Sequence, residues 1–126
     1  MARRKGTELS VFKGREAKLN RAIFQALALK GPQTIYDIHK QVKTQRGLKQ
    51  TKYASVNKRI RLLEESGYVR RVGVKKTKAG FEATIFELAI RGYLAIVLNS
   101  MSPESLMKKL NEATALSFLA TILEGE

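Results

Sequence analysis

The segment from residue 51 to residue 80, TKYASVNKRIRLLEESGYVRRVGVKKTKAG, constrains the fold of this chain more than any other part of it. Val56, Ile60 and Leu63 stand at i, i+4 and i+7, which is the spacing of a helix with one buried stripe. Gly67 is typical of a helix end. Residues 68–74 then predict a strand that turns through KKTKAG into a second strand at residues 82–88. The segment therefore predicts a helix with one apolar and one basic side, followed by a basic hairpin.

Two helices are predicted before this segment. Apolar residues recur with helical spacing over residues 15–30, and a Gly-Pro pair ends the pattern. Thr34, followed three residues later by Asp37, has the form of a capping box and begins a second helix that fades near Gln45. The polar link to the third helix is longer than the tight turn of the simplest helix-turn-helix motifs. Residues 1–14 are polar, basic and aperiodic, and we predict a flexible arm there.

Two more helices are predicted after the hairpin, at residues 89–99 and at residues 102–123. Ser102, Pro103 and Glu104 suit a helix start, with a capping hydroxyl, a proline at the first helical position and an acid in the first turn. The segment ALSFLATIL, residues 115–123, is apolar on nearly every side and therefore requires burial. We interpret residues 89–126 as C-terminal helices that form a homodimer. Packing of the last helix over the first helix of the same chain is the alternative.

Positive charge is confined to one part of the chain. The formal net charge is +13 and the pI is about 10.3. Residues 1–80 carry 21 Lys or Arg against 5 acids, a net of +16, whereas residues 81–126 carry 3 against 6, a net of −3. This segregation indicates a polyanionic partner bound by the first 80 residues. Charge alone would also suit an anionic membrane surface or ribosomal RNA.

Composition argues against several classes of protein. The chain has no cysteine and one histidine, so we expect no disulfide, thiol nucleophile, metal site or cofactor. It carries no phosphate-binding glycine loop, dinucleotide loop or serine elbow, and we predict that it is not an enzyme. No apolar run approaches the ~18 residues of a membrane span, and the first ten residues lack the apolar region of a signal peptide. We expect a cytoplasmic location with no membrane contact, nucleoid-associated if the source is prokaryotic.

Two phrases resemble the winged helix-turn-helix family of transcriptional regulators. SVNKRIRLLEESGYVRR, residues 55–71, stands where that family places its recognition helix and the turn into its first wing strand. FELAIRGYLAIV, residues 86–97, is similar to the family's second wing strand and following helix, although Ala89 stands where threonine is common. The resemblance covers residues 18–98 and is of the PadR-like or MarR-like type. It implies a fold that is mainly α with a small β-hairpin, with the DNA-binding domain at residues 15–88.

The exposed side of the predicted third helix provides the first set of candidate DNA contacts. A helix fits the major groove of B-DNA, where asparagine pairs with adenine and arginine or lysine reaches guanine. Lys58 and Arg61 lie nearly opposite the buried Val56, and Asn57 lies on a flank. A merely solvated basic face is the alternative. The candidates on this helix are Lys52, Tyr53, Ser55, Asn57, Lys58, Arg59 and Arg61.

Three further groups, on the wing, on the arm and at the start of the third helix, are candidates for contacts with the DNA backbone or the minor groove. For the wing, the alternative is that its lysines only prevent pairing between strand edges. For the arm it is a plain disordered tail, and for the helix start it is a simple N-cap. The wing group is Arg70, Arg71, Lys75, Lys76 and Lys78; the arm group is Arg3, Arg4 and Lys5; the group at the start of the third helix, for phosphate binding or capping, is Gln50 and Thr51.

The single histidine and the aromatic residues are interpreted structurally. His39 is predicted to project from the second helix into solvent, with no partner nearby in sequence. Four aromatic residues could act as stacking platforms for single-stranded nucleic acid. Because aromatic residues on such elements usually pack inside, we predict that these four belong to the core: Tyr36, Tyr68, Phe81 and Phe86.

The leading hypothesis from these features is a sequence-specific double-stranded DNA-binding regulator that works as a homodimer. One alternative is a chromatin architectural or RNA-binding protein that recognises shape and charge. The other is a winged helix that serves protein interaction within a transcription or replication assembly. No residue points to a small-molecule effector.

Overall fold

The computed structural model of this chain describes residues 9–100 and, beyond them, only positions 102, 104, 105, 108, 116, 117, 119, 120, 123 and 124. This part of the chain is mainly helical with a small three-stranded antiparallel sheet, which confirms the predicted fold class at that level. In chain order the elements are a short 3₁₀ helix Ser10–Phe12, α1 Ala17–Lys30, β1 Gln33–Thr34, α2 Ile35–Val42, α3 Tyr53–Glu65, β2 Val69–Lys76, β3 Glu82–Leu88 and α4 Ile90–Ser100.

The core lies between the first three helices and the base of the sheet. The stripe of Val56, Ile60 and Leu63 on α3 is buried, as the spacing predicts. Ile38 and Val42 of α2 are fully buried against it. The start of α2 is also as predicted, since the backbone N–H of Asp37 donates to the Thr34 hydroxyl at 3.2 Å. The core thus fixes the direction in which the opposite, polar side of α3 faces.

The sheet has the strand order β1-β3-β2. The two-residue β1, which the sequence does not predict, pairs antiparallel with β3, with Gln33 opposite Phe86. A bulge at Val72 interrupts the β2–β3 register. Only the first residue of β2, Val69, is buried. Phe86 and Leu88 of β3 are buried at the same end, so only the part of the hairpin near its turn extends away from the core. We call β2, β3 and their connecting turn the basic hairpin.

The predicted arm at residues 1–14 is wrong for its last part. Residues Ser10–Phe12 form a 3₁₀ helix, and Val11 and Phe12 are buried. The Phe12 ring meets the Phe24 ring edge-on with centroids 5.5 Å apart, and the Asn20 side-chain amide donates to the Val11 carbonyl at 2.9 Å. These contacts make the segment part of the core, because two large apolar side chains gain more from burial than the short backbone segment loses in entropy.

Gly92 lies where α4 packs closely on the end of the sheet. A Cβ at this position would stand 2.5 Å from Leu88 Cδ1 and 2.7 Å from the Tyr68 carbonyl oxygen. Real Cβ atoms do not approach backbone oxygen so closely, so α4 or the strand would have to shift. The glycine, which costs helix propensity in the sequence, is therefore required by packing.

We expect Gly92→Ala to lower the free energy of unfolding by about 1–3 kcal/mol, the usual cost of overpacking a core. Better helix propensity opposes this loss by at most ~1 kcal/mol. Urea denaturation followed by circular dichroism measures the difference. Gly73→Ala is the matched control, because a Cβ there meets nothing within 4 Å. A Gly92→Ala protein as stable as the parent would contradict the proposed close packing.

The described positions beyond residue 100 include Ser102, whose hydroxyl accepts from the backbone N–H of Ser105 at 3.1 Å. This confirms the predicted N-cap, while Pro103 lies outside the described residues. The described positions from 104 to 124 are helical and exposed, among them Leu116, Leu119 and Leu123. None of the helices in the described part of the chain has the length and apolar character needed to cross a membrane.

Candidate nucleic-acid interface

Three polar residues of α3 face a groove beside the basic hairpin. Tyr53, Asn57 and Arg61 follow one another at intervals of four, so they share one side of the helix. Across from them lie side chains of the sheet and of the start of α2. The groove has a volume of about 230 Å³ and is lined by Ile35, Tyr36, Tyr53, Asn57, Arg61, Arg71, Glu82, Ala83, Thr84 and Phe86. We call it the α3–hairpin groove.

Asn57 and Arg61 are hydrogen-bonded to each other within this groove. Arg61 Nε donates to Asn57 Oδ1 at 3.0 Å. The bond leaves the Asn57 amide N–H groups and the second lone pair of its oxygen available, and it leaves the terminal Arg61 nitrogens available. Each side chain therefore limits the rotamers of the other while both keep the groups that recognise base edges.

The remaining candidates on α3 lie on a more open side of the helix or at its start. Ser55 and Lys58 are exposed, and Arg59 is half-buried. Lys52 is exposed and occupies the N-cap position of α3, without a side-chain capping hydrogen bond. The structure thus divides the predicted helix contacts between the α3–hairpin groove and a second surface, which we call the outer basic surface of α3. This surface consists of Lys52, Ser55, Lys58 and Arg59.

The prediction that Thr51 caps α3 is wrong, because the N-cap is the following residue. Thr51 instead uses its backbone, which donates to the Leu48 carbonyl at 3.1 Å and accepts from His39. Gln50 is exposed beside it. A phosphate contact by either residue stays a prediction.

His39 has a partner, contrary to the predicted solvent position. Its Nε2 lies 2.8 Å from the Thr51 carbonyl oxygen, and its ring meets the Tyr53 ring edge-on with centroids 5.8 Å apart. His39 of α2 thereby contacts the residues at the start of α3 through one hydrogen bond and one ring contact. No pattern within the sequence could indicate this contact, because it joins residues twelve and fourteen positions apart through the fold.

Two arginines of the basic hairpin are paired with acids. Arg70 is ion-paired with Glu87, its cross-strand neighbour. Arg71 Nε donates to Glu64 Oε2 at 2.7 Å, and its guanidinium lies 5.8 Å from the Phe86 ring centroid. Arg71 therefore connects the hairpin to α3. Contacts of these arginines with a phosphate would have to compete with the acids.

The turn of the hairpin carries the exposed lysines. Lys75, Lys76 and Lys78 are exposed, and the first two lie at the end of β2. The Thr77 N–H donates to the Phe81 carbonyl at 2.7 Å, and the Phe81 N–H donates back to the Thr77 hydroxyl at 3.2 Å. These bonds close the turn, so three positive charges are held on a fixed loop outside the core.

The prediction of a core position is wrong for two of the four aromatic residues. Phe86 is buried, and Tyr68 is half-buried with its ring 5.7 Å from the Phe24 ring. Tyr36 is 60 % exposed and Phe81 is 73 % exposed. The position of Tyr36 outside the apolar stripe of α2 could have indicated its exposure.

Arg3, Arg4 and Lys5 lie outside the described residues, so their role in an arm stays a prediction.

Comparison of the chain with known proteins identifies no matching family model and no matching curated protein. The candidate interface combines the α3–hairpin groove, the outer basic surface of α3 and the lysine-bearing turn.

Proposed function

We propose that this chain is a sequence-specific double-stranded DNA-binding protein with a winged helix-turn-helix fold, which acts as a transcriptional regulator. In this proposal α3 is the recognition helix and the basic hairpin is the wing. The observation that carries it is the Asn57–Arg61 pair on a helix whose apolar stripe, Val56, Ile60 and Leu63, is buried in the core. Two base-reading side chains are thereby oriented on a rigid element of the core.

The chemistry of the pair suits the edges of bases in the major groove. Asn57 can accept from adenine N6 with its remaining lone pair and donate to adenine N7. The terminal nitrogens of Arg61 can donate to guanine O6 and N7. A helix diameter of ~10–12 Å matches a major groove ~12 Å wide. The proposal therefore assigns base recognition to Asn57 and Arg61, and assigns phosphate binding mainly to Lys52 and Lys58.

The basic hairpin contributes affinity more than sequence preference in this proposal. Lysine is a point charge, and its contacts with phosphate release counterions without distinguishing bases. Because Arg70 and Arg71 are paired with acids, the lysines of the turn supply most of the available charge there. We propose that these lysines bind the DNA phosphates beside the base pairs that α3 contacts.

The C-terminal segment supports a homodimer as the active form. Leu116, Leu119 and Leu123 have the i, i+3, i+7 spacing of one helix face and are 60, 51 and 63 % exposed. A second copy of this face would remove them from water. Two recognition helices related by a two-fold axis would then contact half-sites about 34 Å apart.

The class of partner is tested by fluorescence anisotropy with duplex DNA, duplex RNA and single-stranded DNA of equal length. We expect the tightest binding to duplex DNA and a log–log salt slope near −0.9 for each phosphate contacted. A preference for either RNA or single strands would contradict the proposal. The exposed Tyr36 and Phe81 favour single-strand stacking as the second candidate function, and the same experiment decides between the two.

We expect Lys76→Ala with Lys78→Ala to weaken binding to all duplexes equally and to reduce the salt slope by about 2. The measurement is the affinity for random-sequence duplex at several salt concentrations. Lys13→Ala with Lys30→Ala is the matched control, because it removes the same charge from exposed positions outside α3 and the basic hairpin. If both double variants lower the affinity and the salt slope equally, the turn of the basic hairpin does not contact the DNA.

A further inference from the structure

Phe81 is the most exposed aromatic residue of the described part of the chain. Its side chain is 73 % exposed, although it follows directly on the turn of the basic hairpin and precedes β3. Isolated exposed apolar residues are common on proteins and carry no meaning by themselves. The setting of Phe81 is different, because Lys75, Lys76 and Lys78 stand within six positions of it.

The backbone on both sides of Phe81 is held in place. Its carbonyl accepts from the Thr77 N–H at 2.7 Å, and its N–H donates to the Thr77 hydroxyl at 3.2 Å. Gly80, with φ +87°, makes the tight turn, and a Cβ there would meet nothing within 4 Å. The backbone that carries the exposed ring is therefore held by hydrogen bonds, so little backbone entropy would be lost when the ring contacts a partner.

The turn end of the hairpin is open to solvent. Every residue from 70 to 82 is exposed, whereas Phe86 and Leu88 of β3 are buried, so the hairpin is packed at its base and free at its turn. Val72 and Val74 of β2 are exposed apolar side chains as well, 45 and 61 % exposed. An apolar tip flanked by cations matches the chemistry of a DNA duplex, which has stacked apolar bases between two rows of phosphates.

We propose that Phe81 inserts between neighbouring base pairs from the minor groove and bends the DNA, while the lysines of the turn bind the phosphates on either side. Apolar side chains that enter a base step in this way unstack it and kink the duplex by about 20–90°. This inference rests on the proposed binding of double-stranded DNA, but it does not require base reading by α3. It adds deformation of the DNA to the function of the hairpin.

The location of the proposed insertion follows from the cost of unstacking. Pyrimidine–purine steps such as TA are the most easily kinked, and A-tracts are stiff. We therefore expect the hairpin to favour duplexes with a TA step under the turn. Such a preference would be additional to any preference that Asn57 and Arg61 supply.

Ligase-mediated circularisation tests the bend without knowledge of the target site. A fragment of ~100 bp is shorter than the ~150 bp persistence length of DNA, so it closes into a circle slowly unless a protein bends it. We expect saturating protein to raise the rate of closure by at least ~10-fold. Phe81→Leu, which keeps an apolar wedge, should retain most of this effect, and Phe81→Ala should lose it.

A second readout follows the base step itself. The fluorescence of 2-aminopurine beside a TA step is expected to rise with the parent protein and with Phe81→Leu, but not with Phe81→Ala. Leu29→Ala is the matched control, because Leu29 is also 73 % exposed and lies on α1. Circular dichroism verifies that each variant is folded, and Phe81 makes no contribution to the buried core that its loss would remove.

The outcomes separate the inference from the function on which it rests. Equal circularisation by Phe81→Ala and the parent, or tight duplex binding by the parent without bending, would overturn the wedge and leave the proposed DNA binding standing. A parent protein that does not bind duplex DNA would overturn both. Bending that depends on Phe81 and survives in Phe81→Leu and Leu29→Ala would establish the wedge.

Discussion

We expect Asn57→Ala and Arg61→Ala each to lower the preference of the protein for its selected site over random duplex by about 1–3 kcal/mol, or roughly 5–150-fold. Each variant removes a side chain that can make two hydrogen bonds to one base, and such contacts distinguish bases in the major groove. Affinity for random duplex should change less, since it depends on phosphate contacts. The measurement is competitive binding at constant, physiological salt.

The hydrogen bond between the two residues adds a sharper expectation. Because Arg61 Nε donates to Asn57 Oδ1, loss of either side chain also releases the other from its fixed orientation. The double variant should therefore lose less than the sum of the single variants, with a coupling energy of about 0.5–3 kcal/mol. Strict additivity would mean that the bond seen in the free protein has no part in recognition.

Arg15→Ala is the matched control for the loss of a guanidinium, because Arg15 is exposed and lies before α1. It should leave the ratio of selected to random binding unchanged. If Asn57→Ala and Arg61→Ala weaken selected and random duplex by the same factor, the assignment of base reading to the α3–hairpin groove is wrong.

We expect a chain that ends at Ser100 to be monomeric and the intact chain to be dimeric. The buried core of the described residues lies between Val11 and Ala95, so truncation leaves it intact. It removes the exposed face of Leu116, Leu119 and Leu123, which the proposal buries between two copies. Sedimentation velocity gives the mass of both proteins in solution.

The same truncation should weaken binding to a two-half-site duplex by about 10²–10⁴-fold, because the second half-site would no longer be bound at high effective concentration. Binding to a single half-site should be nearly unchanged. In the intact chain, Leu119→Glu should also produce monomers, whereas Ser117→Glu, at an exposed helical position at least 100° from each of the three leucines, should not. The same number of chains per particle in the truncated and intact proteins would rule out dimerisation through this segment.

Local patterns allowed the sequence to predict most of the secondary structure. The stripe of Val56, Ile60 and Leu63 predicted which side of α3 is buried, and the Thr34–Asp37 cap predicted the start of α2. The second strand of the hairpin was predicted with the bounds that the structure has, Glu82–Leu88. In each case the signal lies within a few consecutive residues, where spacing and capping chemistry act directly.

Contacts between distant segments could not be predicted in the same way. The pairing of Gln33 with Phe86 creates β1, and burial of Phe12 against Phe24 recruits the segment before α1. Two residues are too few for a periodic strand pattern, and the 3₁₀ helix has three residues. Tertiary packing decides the conformation of such short segments.

The sequence indicates which residue types the elements of the candidate site carry, whereas contacts between those elements required the structure. Asn57 and Arg61 stand at i and i+4, a spacing at which side chains meet on a helix, so their hydrogen bond was open to prediction. The pairing of Arg71 with Glu64 depends on how β2 leaves α3, and the exposure of Phe81 depends on how far the hairpin extends from the core. These features follow from the fold and required the structure.

Selection of binding sites from a random pool of duplex DNA, with RNA present as competitor, tests most directly whether this chain reads DNA sequence. We predict enrichment of one pseudo-palindromic motif with half-sites about 34 Å apart. The enriched site should be preferred over bulk DNA by ~10³ or more at physiological salt. A retained pool that stays random, or complete loss of DNA binding to the RNA competitor, would contradict the proposed function.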